Sequence, residues 1–207
     1  MTNIPPKAPA PKLVLASASQ SRARLLAQVG LEFEIQPAHI DEESVKTAML
    51  AEGARHSQIA ETLAEIKCLQ VSQKCGAALV IGADQILSCN NLLYSKAQNF
   101  SEAHDQLTAL AGWDHQLVTA ACVGQNGGVI WRHVETARLK MRAMSEGFIR
   151  AYLAAGGEAL LTGVGCYRLE ERGALLFERI SGDYYGILGL PLLPLLQLLR
   201  DHKVLAV

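Results

Sequence analysis

Apolar positions along this chain fall into two rhythms. Leu13-Val14-Leu15 is an unbroken apolar triplet, the signature of a buried strand, and from Gln20 the spacing turns helical, with Leu25, Leu26 and Val29 on one stripe and Gly30 as the C-cap. Phe33 and Ile35 alternate with Glu32, Glu34 and Gln36, which predicts a half-buried strand ended by Pro37. Ser57 opens a long helix with Ile59, Leu63, Ile66 and Leu69 or Gln70 facing inward. The continuous apolar run Ala77–Ile81 predicts a central strand. Ile86-Leu87 and Leu92-Leu93-Tyr94 flank Ser88-Cys89-Asn90-Asn91, a hairpin signal. Ser101 is the N-cap expected for a helix through Leu110, closed by Gly112. His115–Val123 and Val129–Met141 read as the arms of a long hairpin around Gln125-Asn126-Gly127-Gly128. Ser145 caps a helix through Ala155, and Ala174–Ile180 reads as a further strand before the turn Ser181-Gly182-Asp183. Pro191 suits the first turn of a last helix reaching about Leu199. Helices alternate with strands early and hairpins interrupt later, so the class is mixed α/β.

Composition narrows the field. The chain has 207 residues, half of them apolar, enough for one sizeable core. Its first twelve residues, MTNIPPKAPAPK, lack an apolar core and read as a flexible proline-rich tail rather than a signal peptide, leaving residues 13–207 as a single domain. Net charge is −1 with lysine and arginine scattered, and aromatics are 5%, so neither a duplex-binding surface nor a base-stacking platform is expected. The apolar stretch Ile187–Leu199 carries two prolines and is too short to span a bilayer. Five cysteines form no CxxC pair and no zinc spacing, and an odd count without a signal peptide fits a reducing cytoplasm.

Four places carry candidate chemistry. Ala16–Ser19 are small residues between the first strand and the first helix, where unpaired N–H groups and a positive dipole end attract an anion; Arg22 adds a guanidinium. Read alone, this stretch favours the plainer reading, a buried strand and a capped helix with Arg22 in water. Asp41-Glu42-Glu43 solvates a loop or helps hold a cation. Lys67 flanks its helix stripe, where a lysine ordinarily snorkels. Asp84 follows the run Ala77–Ile81 and so falls at the carboxyl edge of a strand, as an acid, a base or a cap.

Taken in order, these segments resemble the Maf-like nucleoside triphosphate pyrophosphatases. The resemblance rests on LVLASASQSRARLL at 13–26, Asp41-Glu42, Ala64–Lys67, VIGADQ at 80–85, Lys96 and His115–Thr119. It continues through Glu135-Thr136, GCYRLEERG at 165–173 and GDYYGILGLPL at 182–192. It implies an elongated mixed sheet with helices and two lobes around a nucleotide cleft, like the inosine triphosphate pyrophosphatases. The implied reaction is hydrolysis of a nucleoside triphosphate to the monophosphate and pyrophosphate with a divalent cation (magnesium, manganese or cobalt). The carried-over roles are Asp84 as general base, Ser17, Ser19, Arg22, Lys67 and Lys96 on phosphates, and Glu42 with Asp84 at the metal. Ser21, Gln85 and Glu170 fall at positions of substrate choice, and Gln85 with Glu170 resembles the branch acting on 7-methyl-GTP. The family's frequent dimers make a homodimer an expectation. One arginine, Arg22, stands where the family usually has two, and the family is associated with septum formation. The alternative implied is a catalytically weak nucleotide-binding regulator of division.

Overall fold

The computed structural model describes residues 11–205; the proline-rich tail expected over residues 1–12 lies outside them except for Pro11 and Lys12. Lys12 already belongs to the fold, since its carbonyl accepts from the Leu79 N–H at 2.8 Å. The seven strands are β1 (Leu13–Leu15), β2 (Glu34–Ile35), β3 (Leu79–Cys89), β4 (Leu92–Tyr94), β5 (Asp114–Gln125), β6 (Gly128–Met141) and β7 (Phe177–Ser181). They form one sheet in the order β2-β1-β3-β5-β6-β7, with β4 paired to the far end of β3. β1 runs parallel to both neighbours and every other pairing is antiparallel. The helices are α1 (Gln20–Gln28), α2 (Glu42–Ala51), α3 (His56–Cys75), α4 (Phe100–Leu110), α5 (Glu146–Gly156), α6 (Tyr184–Ile187) and α7 (Leu192–Asp201). This is the α/β mixed sheet expected. Among the described residues no helix is long and apolar enough to cross a membrane.

The period-2 alternation of β3 sorts the helices. Leu79, Ile81 and Ala83 pack with α1 and α7, and Leu87 and Cys89 continue that face toward α4 and α5. Val80, Gly82 and Ile86 face α3. The approach to α3 is close. A Cβ on Gly82 would lie 2.3 Å from the Ala64 carbonyl oxygen and 2.6 Å from the Cys68 Cβ.

Several expectations are corrected. The stripe of α3 is Ile59, Ala60, Leu63, Ala64 and Cys68, whereas Ile66, Leu69 and Gln70 stay half-buried, because small residues let the helix sit tight against β3. Ile35 is 53% exposed rather than half-buried, since β2 is a two-residue edge strand. Val29 lies past the end of α1 and is exposed. The acidic run 41–43 is not a loop. Asp41 is the N-cap of α2, accepting from the Ser44 N–H, and Glu42 and Glu43 occupy its first turn, where acids suit the helix dipole. The cap of α4 is Asn99, not Ser101. The strand expected from Ala174 begins at Phe177, after a 3₁₀ segment Arg172–Leu176.

The most consequential difference concerns β3. It does not end before Asp84 but runs on through Cys89. What ends there is its neighbour. Leu15 pairs with Ile81, β4 joins only at Leu87, and between these points no strand borders that edge among the described residues. A five-residue gap, Gly82 to Ile86, opens in the middle of the sheet beside β3, and Asp84 sits at its centre.

Candidate active site

Into this gap faces a cavity of about 600 Å³, within the range of small-molecule sites. Its wall includes all ten residues singled out from the sequence: Ser17, Ser19, Ser21, Arg22, Glu42, Lys67, Asp84, Gln85, Lys96 and Glu170.

The centre is a buried charge relay. Lys67 leaves α3 directly opposite Asp84, is itself buried, and donates to Asp84 Oδ1 at 2.6 Å. Its ammonium also meets Glu42 Oε1 at 2.7 Å. The snorkelling alternative for Lys67 is thereby excluded. Asp84 is 4% exposed, and its second oxygen, Oδ2, is buried with no hydrogen-bond partner among the described residues. Desolvation raises the Asp84 carboxyl above its ordinary value, against the opposing pull of Lys67 and Arg22. At Glu42, partial burial pushes the same way, but hydrogen bonding and charge from Lys67 outweigh it and hold the carboxyl below its ordinary value. Two carboxylates sharing one lysine are thus shifted in opposite directions.

Arg22 is buried and largely occupied. Its Nε donates to the Gly189 carbonyl at 2.8 Å, and Nη1 donates to the Ala83 carbonyl at 2.8 Å and to Ser17 Oγ at 3.0 Å. The Ala83 carbonyl lies in the β3 gap, so the guanidinium supplies a donor where a strand is missing. Burial pulls Arg22 below its ordinary value, opposed by the charges of Asp84 and Glu42. Ser19 is the N-cap of α1, accepting from the Arg22 N–H at 3.5 Å, and Ser17 Oγ accepts from the Ser19 N–H at 3.2 Å. Ser21 lies in the first turn of α1 on the cavity wall. Lys96 enters from the loop after β4; loss of surrounding water, then the charge of Arg22, lowers its ammonium.

On the other face of β3, Gln85 is fixed. Its Nε2 donates to the Gly186 and Ile187 carbonyls and to Thr119 Oγ1, at 2.9, 3.1 and 2.9 Å. The two carbonyls dictate the amide orientation, so Gln85 is left with Oε1, an acceptor, uncommitted. Glu170 accepts from Arg168 at 3.3 Å and faces Arg24 Nη1 at 3.8 Å. Arg24, one position removed from the face of Arg22 and Ser19, therefore pairs with Glu170 and is absent from the cavity wall.

Wall residues missed from sequence include Lys46, Ser95, Gln98, Thr162 and Arg168. Lys46 was hidden because α2 was read as a loop. The N-cap Asp41 followed by acids, with Val45 and Met49 at helical spacing, was the available signal. Arg168 stood inside the GCYRLEERG segment, two residues before Glu170, whereas Ser95 carried no signal.

A family model for the Maf-like proteins matches residues 12–202. The chain belongs to the Maf-like family. Among its relatives, a nucleoside triphosphate pyrophosphatase of Granulibacter bethesdensis is 47% identical over 196 residues, covering 95% of this chain and 100% of that protein. A 7-methyl-GTP pyrophosphatase of Rhizobium meliloti is 47% identical over 191 residues, covering 92% and 96%. A 7-methyl-GTP pyrophosphatase of Brucella abortus is 43% identical over 192 residues, covering 93% and 96%. The match takes in every element of this Maf-like chain that contributes to the cavity wall.

Proposed function

We propose that this Maf-like chain is a nucleoside triphosphate pyrophosphatase, a hydrolase that cleaves the α–β phosphoanhydride, with Asp84 as general base. The observation that carries the reading is the buried, unpartnered Asp84 Oδ2 in a cavity otherwise dominated by cations. Lys67 holds Oδ1, which orients the carboxylate; desolvation makes the carboxylate more basic, and Oδ2 is its free acceptor. Oδ2 takes one proton from a water. The water oxygen bonds the α-phosphorus, the bond to the bridging oxygen breaks, and pyrophosphate leaves with that oxygen; the second proton stays on the new monophosphate. Lys67, Lys96, the free edge of Arg22 and the Ser17–Ser19 turn offset the phosphate charge.

Among the described residues no group of three or more His, Cys, Asp and Glu side chains converges on a metal position. The donors nevertheless fit magnesium, manganese or cobalt held by one or two carboxylates with phosphates and water. Glu42 and Asp84 supply hard oxygens, and one of them, Oδ2, is unpartnered. Such an ion, when bound, neutralises phosphate charge and acidifies a water.

The nucleobase is read by acceptors. Gln85 Oε1 and the Glu170 carboxylate favour a base edge rich in donors, as guanine's N1–H and exocyclic amine are. The reading includes 7-methyl-GTP as substrate, consistent with the names of two of the relatives. Arg168 and Arg24 already offset the charge of Glu170, so recognition of a guanine-type base rests on hydrogen bonds to its donor edge rather than on net charge.

We take the cleft to lie between two lobes, one built on α1, α3 and α7 and the other on α4 and α5, as in the inosine triphosphate pyrophosphatases. Separate apolar clusters on the two sides of the cavity support this. Residues 13–207 then act as one unit. A homodimer belongs to this reading as what the family resemblance implies. A cytoplasmic setting fits the five free cysteines.

The test is pyrophosphate release from 7-methyl-GTP, the four ribonucleotides, thymidine triphosphate and inosine triphosphate, with each of the three metals. Release is expected, fastest from guanine-type bases, and Asp84→Asn should lose it by about a thousandfold or more while still binding nucleotide. Near-wild-type turnover by that variant removes Asp84 as the base. Binding without release by the wild type favours the regulatory alternative, for which one observation speaks: Arg24 pairs with Glu170 and does not replace the missing phosphate arginine.

A further inference from the structure

Lys46 is unused by the mechanism above, yet it lies on the wall of the same cavity. It sits on α2, one turn beyond Glu42, and its side chain is only 16% exposed. Its ammonium meets Glu43 Oε1 at 2.8 Å, and this is its one hydrogen bond among the described residues. Two of its three N–H donors are therefore uncommitted. The partner is a weak one. Glu43 is 68% exposed, and the same oxygen also accepts from Ser95 Oγ at 2.9 Å.

Position along the site identifies what Lys46 meets. From Asp84 the chain of contacts leads through Lys67 to Glu42 and so to α2, away from Gln85 on the opposite face of β3. Ser95, which shares Glu43 with Lys46, directly precedes Lys96. Lys46 and Lys96 both act on Glu42 electrostatically. If the α-phosphorus lies at Asp84, the remaining two phosphates extend toward Lys46. A phosphate oxygen outcompetes a solvated carboxylate for an ammonium whose stem is already buried.

We propose that Lys46 binds the departing pyrophosphate half of the substrate, exchanging Glu43 for a β- or γ-phosphate oxygen, and so sets a preference for triphosphates. The inference rests on the pyrophosphatase reading but is testable apart from it. Binding of inorganic pyrophosphate, with magnesium, is measured by calorimetry on the wild type, Lys46→Met and Glu43→Gln, alongside binding of a nucleoside monophosphate. Lys46→Met should weaken pyrophosphate at least about tenfold and lower kcat/KM for triphosphates by a similar factor, with monophosphate binding unchanged. Glu43→Gln, on the exposed side, should tighten pyrophosphate because the competing carboxylate is gone. Equal pyrophosphate affinity in wild type and Lys46→Met, an equal loss for monophosphate, or weaker binding in Glu43→Gln overturns the proposal. Absence of turnover by the wild type, with pyrophosphate binding that still depends on Lys46, overturns the pyrophosphatase reading instead.

Discussion

Asp84 and Glu42 share the ammonium of Lys67 but are pushed in opposite directions by their surroundings. Asp84 is buried and its carboxyl rises above the ordinary 3.8; Glu42 is half open and falls below the ordinary 4.5. Opposite shifts of this kind point to roles: desolvation favours the protonated form of Asp84, whereas Lys67 holds Glu42 in its charged form. The sign for activity follows. A general base works only when deprotonated, so kcat at saturating triphosphate should fall as pH drops through a value above 3.8. A pH profile of kcat checks this, and a limb at or below the ordinary aspartate value removes Asp84 from the role. Arg22 illustrates the opposite lesson. Two backbone carbonyls and a serine hydroxyl occupy its Nε and Nη1, so much of a residue that looks like a phosphate ligand in sequence closes a gap in the sheet.

At the level of elements, the site exists because β1 is three residues long and β3 eleven. The longer strand keeps β5 along one edge throughout, and its bare stretch on the other carries Asp84 and Gln85. Alternation then sends Asp84 toward α3 and Gln85 toward α6, separating proton transfer from base reading across one peptide bond. The distance between Asp84 and Lys67 is set by how closely α3 lies on Gly82. Gly82→Ala would place a methyl group 2.3 Å from the Ala64 carbonyl, a backbone atom that cannot yield without moving the helix. The expected cost is about 1–3 kcal/mol of stability, from overpacking. Turnover should fall by about a hundredfold, because a displacement near 1 Å at reacting groups costs that much. Denaturant unfolding and turnover on the same variant measure both; an unchanged rate with lowered stability would show that α3 does not set the geometry.

For the whole molecule, the second apolar cluster contains a titratable group that conditions stability. His115 is 1% exposed, its Nε2 lies 2.9 Å from the Tyr167 hydroxyl, and the Phe177 ring lies tilted against it at 5.9 Å. Burial lowers its pKa from 6.5 to about 4, with Asp114 opposing slightly. The unfolded chain therefore binds a proton that the folded one refuses between these values. Stability from this residue is complete above about pH 6.5 and is lost as pH falls toward 4, by about 3 kcal/mol at most. Unfolding curves at pH 7 and pH 4.5 should show the loss, and His115→Gln should flatten it; an equal loss in the variant places the acid sensitivity elsewhere.

Sequence alone determined most element types, though not α2, because the period of apolar positions reports which face of each segment is dry, and turn residues such as Asn90-Asn91 and Asn126-Gly127 carry their own backbone geometry. Both asparagines of the first turn and the Asn126-Gly127 pair do adopt positive φ. It also named ten residues that one cavity gathers, some from polar and charged groups beside apolar runs and the rest, Ser21, Gln85, Lys96 and Glu170, through the resemblance to the Maf-like family. Tertiary structure alone decided what those groups face. Whether Lys67 lies in water or against Asp84 depends on the approach of α3 to Gly82, and whether β3 stops at Ala83 depends on its pairing with β5. The orientation of Gln85 depends on carbonyls about a hundred residues away. These are long-range contacts, and local periodicity has no access to partners that meet only when the sheet closes around them.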